Sequence, residues 1–343
     1  MKQTVYVGMS GGVDSSVTAA LLKEQGYVVV GVYMKNWTKD VPGFPCPWKD
    51  DFQDAKRVAV QLGIDFKVYD FETEYKQKVV DYMIAEYSAG RTPNPDIMCN
   101  QEIKFKLFFD TAIHDGADVI ATGHYARTAD GQLLMAANTD KDQTYFLYRV
   151  SKSALQKTLF PIGEFKTKAE VRTLAKKFGL ATADKKDSQG ICFVGKVGIR
   201  EFLSQYIQTK PGAIIDQNGA VVGDHDGAIF YTIGQRHGLN VGGGLPYYVV
   251  NKDMQKNEVQ VTTNIDDDRL WFDEINLADL HWIGISPTEG ATYQVRTRHR
   301  AALVDCVYHT NKLILKDSIR AITPGQSAVI YDQSRVVGGG IVV

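Results

Sequence analysis

Residues able to do chemistry gather at three places in this 343-residue chain. The first is Gly8-Met9-Ser10-Gly11-Gly12-Val13-Asp14-Ser15-Ser16. Gly11 and Gly12 carry no Cβ, so a ligand can come close to their backbone. Ser10, Ser15 and Ser16 offer hydroxyls, and a helix beginning here adds unpaired N–H groups and the positive end of its dipole. Such a loop is an anion site, most simply a phosphate site. Asp14 is a candidate Mg²⁺ ligand beside it, because hard cations take carboxylate oxygens. The second place is Asn94-Pro95-Asp96-Ile97-Met98-Cys99. Pro93 and Pro95 force an extended approach and deliver Asp96 and Cys99 near a helix start, where N–H groups favour a thiolate. A cysteine three residues after an aspartate suits a nucleophile with a proton acceptor, although a cysteine so placed is more often structural. The third is Lys185-Lys186-Asp187-Ser188-Gln189-Gly190-Ile191-Cys192-Phe193. Its two lysines favour a thiolate at Cys192.

The elements that must position these groups follow from hydrophobic periodicity. Val5-Tyr6-Val7 reads as a buried strand and 17–25 as a helix stopped by Gly26, so the first loop is a strand–turn–helix. A strand over 27–34, a helix over 51–62, a strand over 66–69 and a long helix over 72–89 come next. A helix over 102–114 leads to a strand from Asp118 that ends in Thr122-Gly123-His124-Tyr125. Strands alternating with helices imply an α/β fold, a parallel sheet with helices on both faces. Ligands of such sheets bind at the carboxyl edge of the strands. That edge brings together the first loop, Met34 (an adenine contact or a core residue), Gly123 and His124.

Composition narrows the class. The net charge is −1, so any nucleic-acid contact must come from local basic patches. No apolar run spans a bilayer and no charged-then-apolar leader precedes the first strand, which predicts a cytoplasmic protein without membrane contact. The four cysteines are widely spaced without a C-x-x-C pair, which fits neither a secreted disulfide framework nor a usual zinc site.

The first loop lacks the Gly-Lys-Ser/Thr ending of a Walker loop and the three-glycine dinucleotide spacing. Ser10-Gly11-Gly12-Val13-Asp14-Ser15 resembles instead the pyrophosphate loop of the N-type ATP pyrophosphatases, which cleave ATP between the α and β phosphates and adenylate a substrate. Taken with Asn94-Pro95-Asp96, Cys99, Thr122–Tyr125, Lys141-Asp142-Gln143 and Asp187–Phe193, it resembles the bacterial tRNA-specific 2-thiouridylases end to end. Tyr231-Thr232-Ile233-Gly234-Gln235-Arg236, Gly238-Leu239 and Thr323-Pro324-Gly325-Gln326 extend the match.

This resemblance implies ATP-dependent 2-thiolation of the wobble uridine, with AMP and pyrophosphate released. It implies ATP binding by Gly8, Met9, Ser10, Gly11, Gly12, Val13, Asp14, Ser15, Met34 and Gly123, with Mg²⁺ sharing the phosphate charge. It implies a persulfide on Cys192, Cys99 as nucleophile ending in a Cys99–Cys192 disulfide, and Asp96 handling a proton or orienting the base. It implies tRNA contacts at Asn94, Pro95, Asp96, His124, Lys141, Asp142, Gln143, Arg298, His299 and Gln326. The sulfur would come from a donor protein such as a cysteine desulfurase or a sulfur relay protein.

Beyond residue 208 the helical period gives way to short strands. Asn218-Gly219 between Ile214-Ile215 and Val221-Val222 marks a hairpin. The expected domains are 1–208, the ATP-pyrophosphatase catalytic unit (adenine nucleotide α-hydrolase-like), 209–264, small and mostly β, and 265–343, a C-terminal β-barrel that contacts tRNA. In the last, Gln294, Arg296, Arg298 and Arg300 share one face of a strand by the period-two rule. Phosphate backbone would relieve their mutual repulsion, and a solvated face is the alternative. Other readings of the whole chain are a synthetase or amidotransferase with the same loop, a non-catalytic nucleotide- or RNA-binding protein, and a metal or iron–sulfur site built from the cysteines.

Overall fold

The computed structural model describes residues 2–40, 46–186, 198–239, 241, 242, 244 and 246–343. Cys192 and the 187–193 motif therefore lie outside the described residues.

The first part of the chain is a five-stranded sheet in the order β3-β2-β1-β4-β7, with every pair parallel. The strands are β1 (Thr4–Gly8), β2 (Val28–Lys35), β3 (Asp65–Asp70), β4 (Val119–Thr122) and β7 (Thr158–Leu159). Alternation sorts the side chains to two faces. Val5, Val7, Val29 and Ala121 pack with helices α1 (Val13–Glu24), α2 (Trp48–Leu62) and Lys168–Lys177. Tyr6, Val30, Val32 and Ile120 pack with Tyr75, Val79, Ile103 and Phe108 from the helical stretches 72–88 and 95–114. A strand apolar on both faces is buried on both faces, as a parallel sheet requires.

The middle part, β8 (Gly212–Ile215), β9 (Val221–His225), β10 (Tyr248–Asp253) and β11 (Glu258–Thr262), forms a sheet in the order β10-β11-β8-β9. Its core is Ile214, Ala228, Tyr231, Val249, Val259 and Val261. The hairpin read at Asn218-Gly219 is present, with a longer turn than a two-residue loop. Asp216 caps it by accepting from Asn218 N and Ala220 N, both at 2.9 Å.

The last part is a six-stranded antiparallel barrel. It runs through β12 (Trp271–Trp282), β15 (Lys312–Arg320), β14 (Val304–His309), β13 (Thr292–Arg296), β16 (Ser327–Asp332) and β17 (Arg335–Val342), closed by β12 on β17. One feature was not expected. The hairpin of β5 (Arg127–Ala129) and β6 (Gln132–Leu134), which comes from the first part of the chain, pairs with β17 through Leu134↔Arg335 and Leu133↔Val336. The parallel-sheet part and the barrel thus share hydrogen-bonded sheet.

Candidate active site

The glycine-rich loop lies between β1 and α1, as its sequence predicts. Gly12 is the N-cap of α1, extended and without a side-chain cap, so the first N–H groups of the helix are left for another acceptor. Gly11 sits at φ 72°, and a Cβ there would fall 2.2 Å from Asp51 O at the start of α2. A Cβ on Gly123 would fall 2.7 Å from Ser15 N. Gly123 therefore lets the end of β4 lie directly on the first turn of α1. Ser10 is exposed, whereas Ser15 and Ser16 are buried and donate their hydroxyls to Gly12 O. Met9 and Val13 are buried, and Met9 N–H donates to Val32 O at 2.8 Å. Met34 has Cε 3.0 Å from the Cβ position of Gly8 and packs against the core at the carboxyl edge.

Asp14 has partners that sequence reasoning missed. Lys168 Nζ donates to both of its carboxylate oxygens at 2.7 Å, and the Tyr125 hydroxyl donates to Oδ1 at 3.1 Å. Lys168 is the first residue of its helix, whose cap is Thr167 accepting from Glu170 N at 3.3 Å. The Thr-x-x-Glu capping box marks that helix start in the sequence; nothing in it points to Asp14. Mg²⁺ commonly takes one or two carboxylates plus substrate phosphates. Among the described residues no group of three or more His, Cys, Asp or Glu could hold a metal. The Asp14 carboxylate is the hard-cation donor of the loop, and in this structure Lys168 takes both of its oxygens.

The helix carrying Asp96 and Cys99 starts earlier than its periodicity suggests. It begins at Pro95, not Glu102, because proline is well suited to the first helical position and Asn94 caps the turn. Asn94 Oδ1 accepts from Asp96 N at 3.2 Å and Ile97 N at 3.4 Å. Cys99 accordingly lies one turn inside the helix, and the first-turn N–H groups expected to favour its thiolate are partly taken by Asn94. It is 1 % exposed, in a cluster with Ile97, Ile103 and Phe105. From Cys99 to Leu107 the helix is π-helical, with Phe108 N–H reaching back five residues to Ile103 O. Such wide turns are rare and concentrate at functional sites. Lys104 on this helix meets His124 just beyond β4, so Cys99, five residues nearer the helix start, lies past the same carboxyl edge as the glycine loop.

His124 is held from both sides. Its Nδ1 is 2.8 Å from Thr122 Oγ1, and its Nε2 is 3.5 Å from Lys104 Nζ. An ammonium only donates, so Nε2 is the acceptor and Nδ1–H donates to Thr122. Burial, with the Lys104 charge second, holds its pKa well below the ordinary 6.5. His124 is a neutral imidazole here.

Several residues expected to touch tRNA are engaged within the protein. Gln143 Oε1 accepts from Tyr125 N at 2.9 Å. The Asp142 carboxylate is fully buried, accepting from Ala136 N at 2.9 Å, Thr144 Oγ1 at 2.7 Å and Arg296 at 3.4 Å. Burial raises its pKa above the usual carboxylate range. Gln326 Nε2 donates to Thr92 O at 2.6 Å, tying the barrel to the chain that enters the Asp96–Cys99 helix. Gly325 makes this approach possible, since a Cβ there would fall 2.8 Å from Thr92 N. Lys141 is half-buried, on the turn just before Asp142.

The arginine face is corrected outright. β13 ends at Arg296, so alternation does not continue to Arg300. Arg296 is buried on Asp142 and against the Tyr331 ring. Arg298 turns its guanidinium to Ile233 O (3.2 Å), Ala321 O (2.8 Å) and Thr323 Oγ1 (3.2 Å), bracing the barrel against the middle sheet. His299 lies with its ring centroid 4.6 Å from that of Phe146, tilted by 42°, and burial lowers its pKa to about 4. Arg300 is exposed, in left-handed backbone at φ 64°. Arg296 and Arg298 thus meet partners at the seams between the parts of the chain, while Arg298 keeps part of its surface exposed and Arg300 faces outward.

No described helix is long and apolar enough to cross a membrane. Family models match three consecutive stretches: a tRNA methyl transferase HUP domain over residues 3–196, a tRNA methyl transferase PRC-barrel domain over 200–263, and an aminomethyltransferase beta-barrel domain over 272–342. Among solved structures, a 4-thiouridine synthetase in complex with RNA and ATP is similar at a TM-score of 0.39 and 16% identity, covering 59% of this chain and 50% of that one. The tRNA-specific 2-thiouridylase MnmA of Methylobacillus flagellatus is 47% identical over 100% of this chain and 99% of its own length. That of Bacillus cytotoxicus is 46% identical over 98% and 94% respectively. At this identity over essentially its whole length, the chain belongs to the tRNA-specific 2-thiouridylase family.

Proposed function

We propose that this chain replaces the C2 oxygen of the wobble uridine in tRNA with sulfur, at the expense of ATP. The observation that carries the proposal is the uncapped loop Ser10–Ser15 at the carboxyl edge of a parallel sheet, in a chain 46–47% identical end to end to 2-thiouridylases. The loop and the N-terminus of α1 hold the phosphates, with the exposed Ser10 hydroxyl as a further donor. Lys168 offsets the Asp14 charge beside them. Mg²⁺, when bound, shields the phosphates. The uracil C2 oxygen attacks the α-phosphorus and pyrophosphate leaves, so that a poor leaving group becomes AMP.

Sulfur transfer belongs to the cysteines. The outer sulfur of a Cys192 persulfide attacks C2 and AMP departs; the Cys99 thiolate then attacks the Cys192 sulfur, forming a Cys99–Cys192 disulfide and freeing the thiouridine. A thiol reductant resets the pair, and a sulfur-donor protein reloads Cys192. Asp96, on the turn before Cys99, takes a proton or orients the base. The target base must leave its stack to reach this edge, which puts Asn94, Pro95 and His124 at its pocket and Lys141–Gln143, Arg298, His299 and Gln326 near the tRNA. With Asp142 buried on Arg296, any contact by its carboxylate requires the seam between barrel and sheet to loosen.

The test is ATP turnover. Release of AMP and pyrophosphate that depends on tRNA agrees with the proposal; AMP release without tRNA, in the presence of ammonia or small carboxylates, favours an amidotransferase-type synthetase. The family descriptions that speak of methyl transfer are separated by product mass, since sulfur replacing oxygen and an added methyl group differ.

A further inference from the structure

The wide turn that opens at Cys99 is clamped from outside its helix. Asn100 Nδ2 donates to Phe146 O at 3.0 Å, and Arg149 Nε donates to Gln101 Oε1 at 2.5 Å. Both partners lie on 146–149, a segment wedged between this helix and the barrel. Arg149 is 8 % exposed, and its other nitrogens go to the barrel: Nη1 donates to Asp279 O at 3.0 Å and Nη2 pairs with Asp279 Oδ2 at 2.8 Å. The guanidinium lies beside the Tyr148 ring, and the Tyr148 hydroxyl reaches Ser327 Oγ of the barrel at 3.1 Å.

Asp279 is built for this contact. It sits at φ 47°, a left-handed backbone that an L-residue adopts only at a cost. The register of β12 on β17 shifts between Ala278 and His281, the mark of a bulge. A bulge re-aims the side chain it carries, and here it turns both the carbonyl and the carboxylate of Asp279 onto one guanidinium. Strain of this kind persists only where surrounding contacts over-determine it.

We propose that Arg149 is a positioning residue for sulfur transfer, tying the barrel bulge at Asp279 to Gln101 and so holding the π-helical turn that aims Cys99. The inference rests on the role given to Cys99 above. A π turn carries more residues than an α turn. If 99–107 reverts to α pairing, Cys99 swings around the helix axis relative to Lys104, which is fixed at His124. An error of about 1 Å in a reacting group costs on the order of 100-fold in rate. The described partners of Arg149 are Gln101, Tyr148 and Asp279, none of them on the glycine-rich loop, so ATP binding is expected not to depend on it.

The experiment compares wild type with Arg149→Met, Gln101→Leu and Gln101→Glu, measuring tRNA thiolation, KM for ATP and tRNA, and alkylation of Cys99 by iodoacetamide followed by peptide mass spectrometry. Arg149→Met is expected to lower kcat by roughly 10- to 100-fold with KM changed less than about twofold, and to change the Cys99 alkylation rate. Gln101→Glu, which keeps the acceptor, is expected to stay near wild type. Gln101→Leu leaves the Arg149–Asp279 pair in place and is expected to repeat the kcat loss even if Arg149→Met fails to fold. The losses in the Arg149→Met and Gln101→Leu double variant are expected not to multiply, because both cut one link. Wild-type kcat in Gln101→Leu, or unchanged Cys99 alkylation alongside a lower melting temperature, overturns the inference. Absence of thiolation by the wild type overturns the proposed function instead.

Discussion

Both carboxylate oxygens of Asp14 lie 2.7 Å from the ammonium of Lys168, across 154 residues of sequence. The glycine loop lacks the lysine of a Walker loop, and the fold brings one to its side from a distant helix. A lone carboxylate there would repel a polyphosphate. Lys168→Met is therefore expected to weaken binding of a non-hydrolysable ATP analogue by roughly 10- to 100-fold, where each tenfold is about 1.4 kcal/mol. Adding Asp14→Asn removes the exposed charge and is expected to recover part of the loss. Calorimetric titration decides this; a double variant no better than Lys168→Met would show that Asp14 serves the phosphates through something other than its pairing with Lys168.

In the proposed scheme the two cysteines divide one task. Cys99→Ala and Cys192→Ala are each expected to abolish thiolation while leaving ATP-analogue affinity within about twofold of wild type, since neither residue belongs to the loop. Thiolation at the normal rate in either variant would remove that cysteine from the scheme.

Arg296 tests whether the arginines serve the fold or the RNA. Its partner Asp142 is fully buried. Removing one member of a buried ion pair leaves an uncompensated charge and typically costs about 3–5 kcal/mol. Arg296→Met is expected to lose stability on that scale in urea unfolding, with the salt dependence of tRNA binding by the folded variant unchanged. A stable variant with a flatter salt slope would return Arg296 to the phosphate contacts.

Acid should destabilise this protein through its histidines. His124 and His225 have pKa values below the ordinary 6.5 because burial disfavours the charged ring, and His299 falls to about 4. A histidine with a lowered folded pKa binds fewer protons folded than unfolded in the interval between the two values, so stability falls as pH drops below about 6.5. His124→Gln is expected to have a shallower loss of melting temperature between pH 7 and pH 5 than wild type. Parallel curves for the two proteins would mean that His124 has the same pKa in the folded and unfolded states.

Much of the fold and part of the site were legible in sequence, for local reasons. The Val5–Val7 strand, the glycine turn and the α1 helix are short-range features, and their order carries the parallel sheet. What failed was non-local. The period-two rule says which residues share a strand face, but not where the strand stops or what packs on it; Arg296 is capped by Asp142, which lies in another part of the chain. Lys168 carries no local signal that ties it to a loop 154 residues away. The π-helical turn at Cys99 leaves no mark in residue types, because it is held by Arg149 and Phe146 from outside the helix. One miss was legible. Asp130 and Gly131, at φ 51° and 75°, form the two-residue turn of the β5–β6 hairpin, a pair of residues favoured in such turns.

The most direct measurement is mass spectrometry of tRNA nucleosides after incubation with the protein, ATP and a persulfide source, with AMP assayed alongside. The account predicts 2-thiouridine derivatives at the wobble position and one AMP formed for each sulfur installed. Unmodified uridine, or thiolation that proceeds without ATP cleavage, would contradict it.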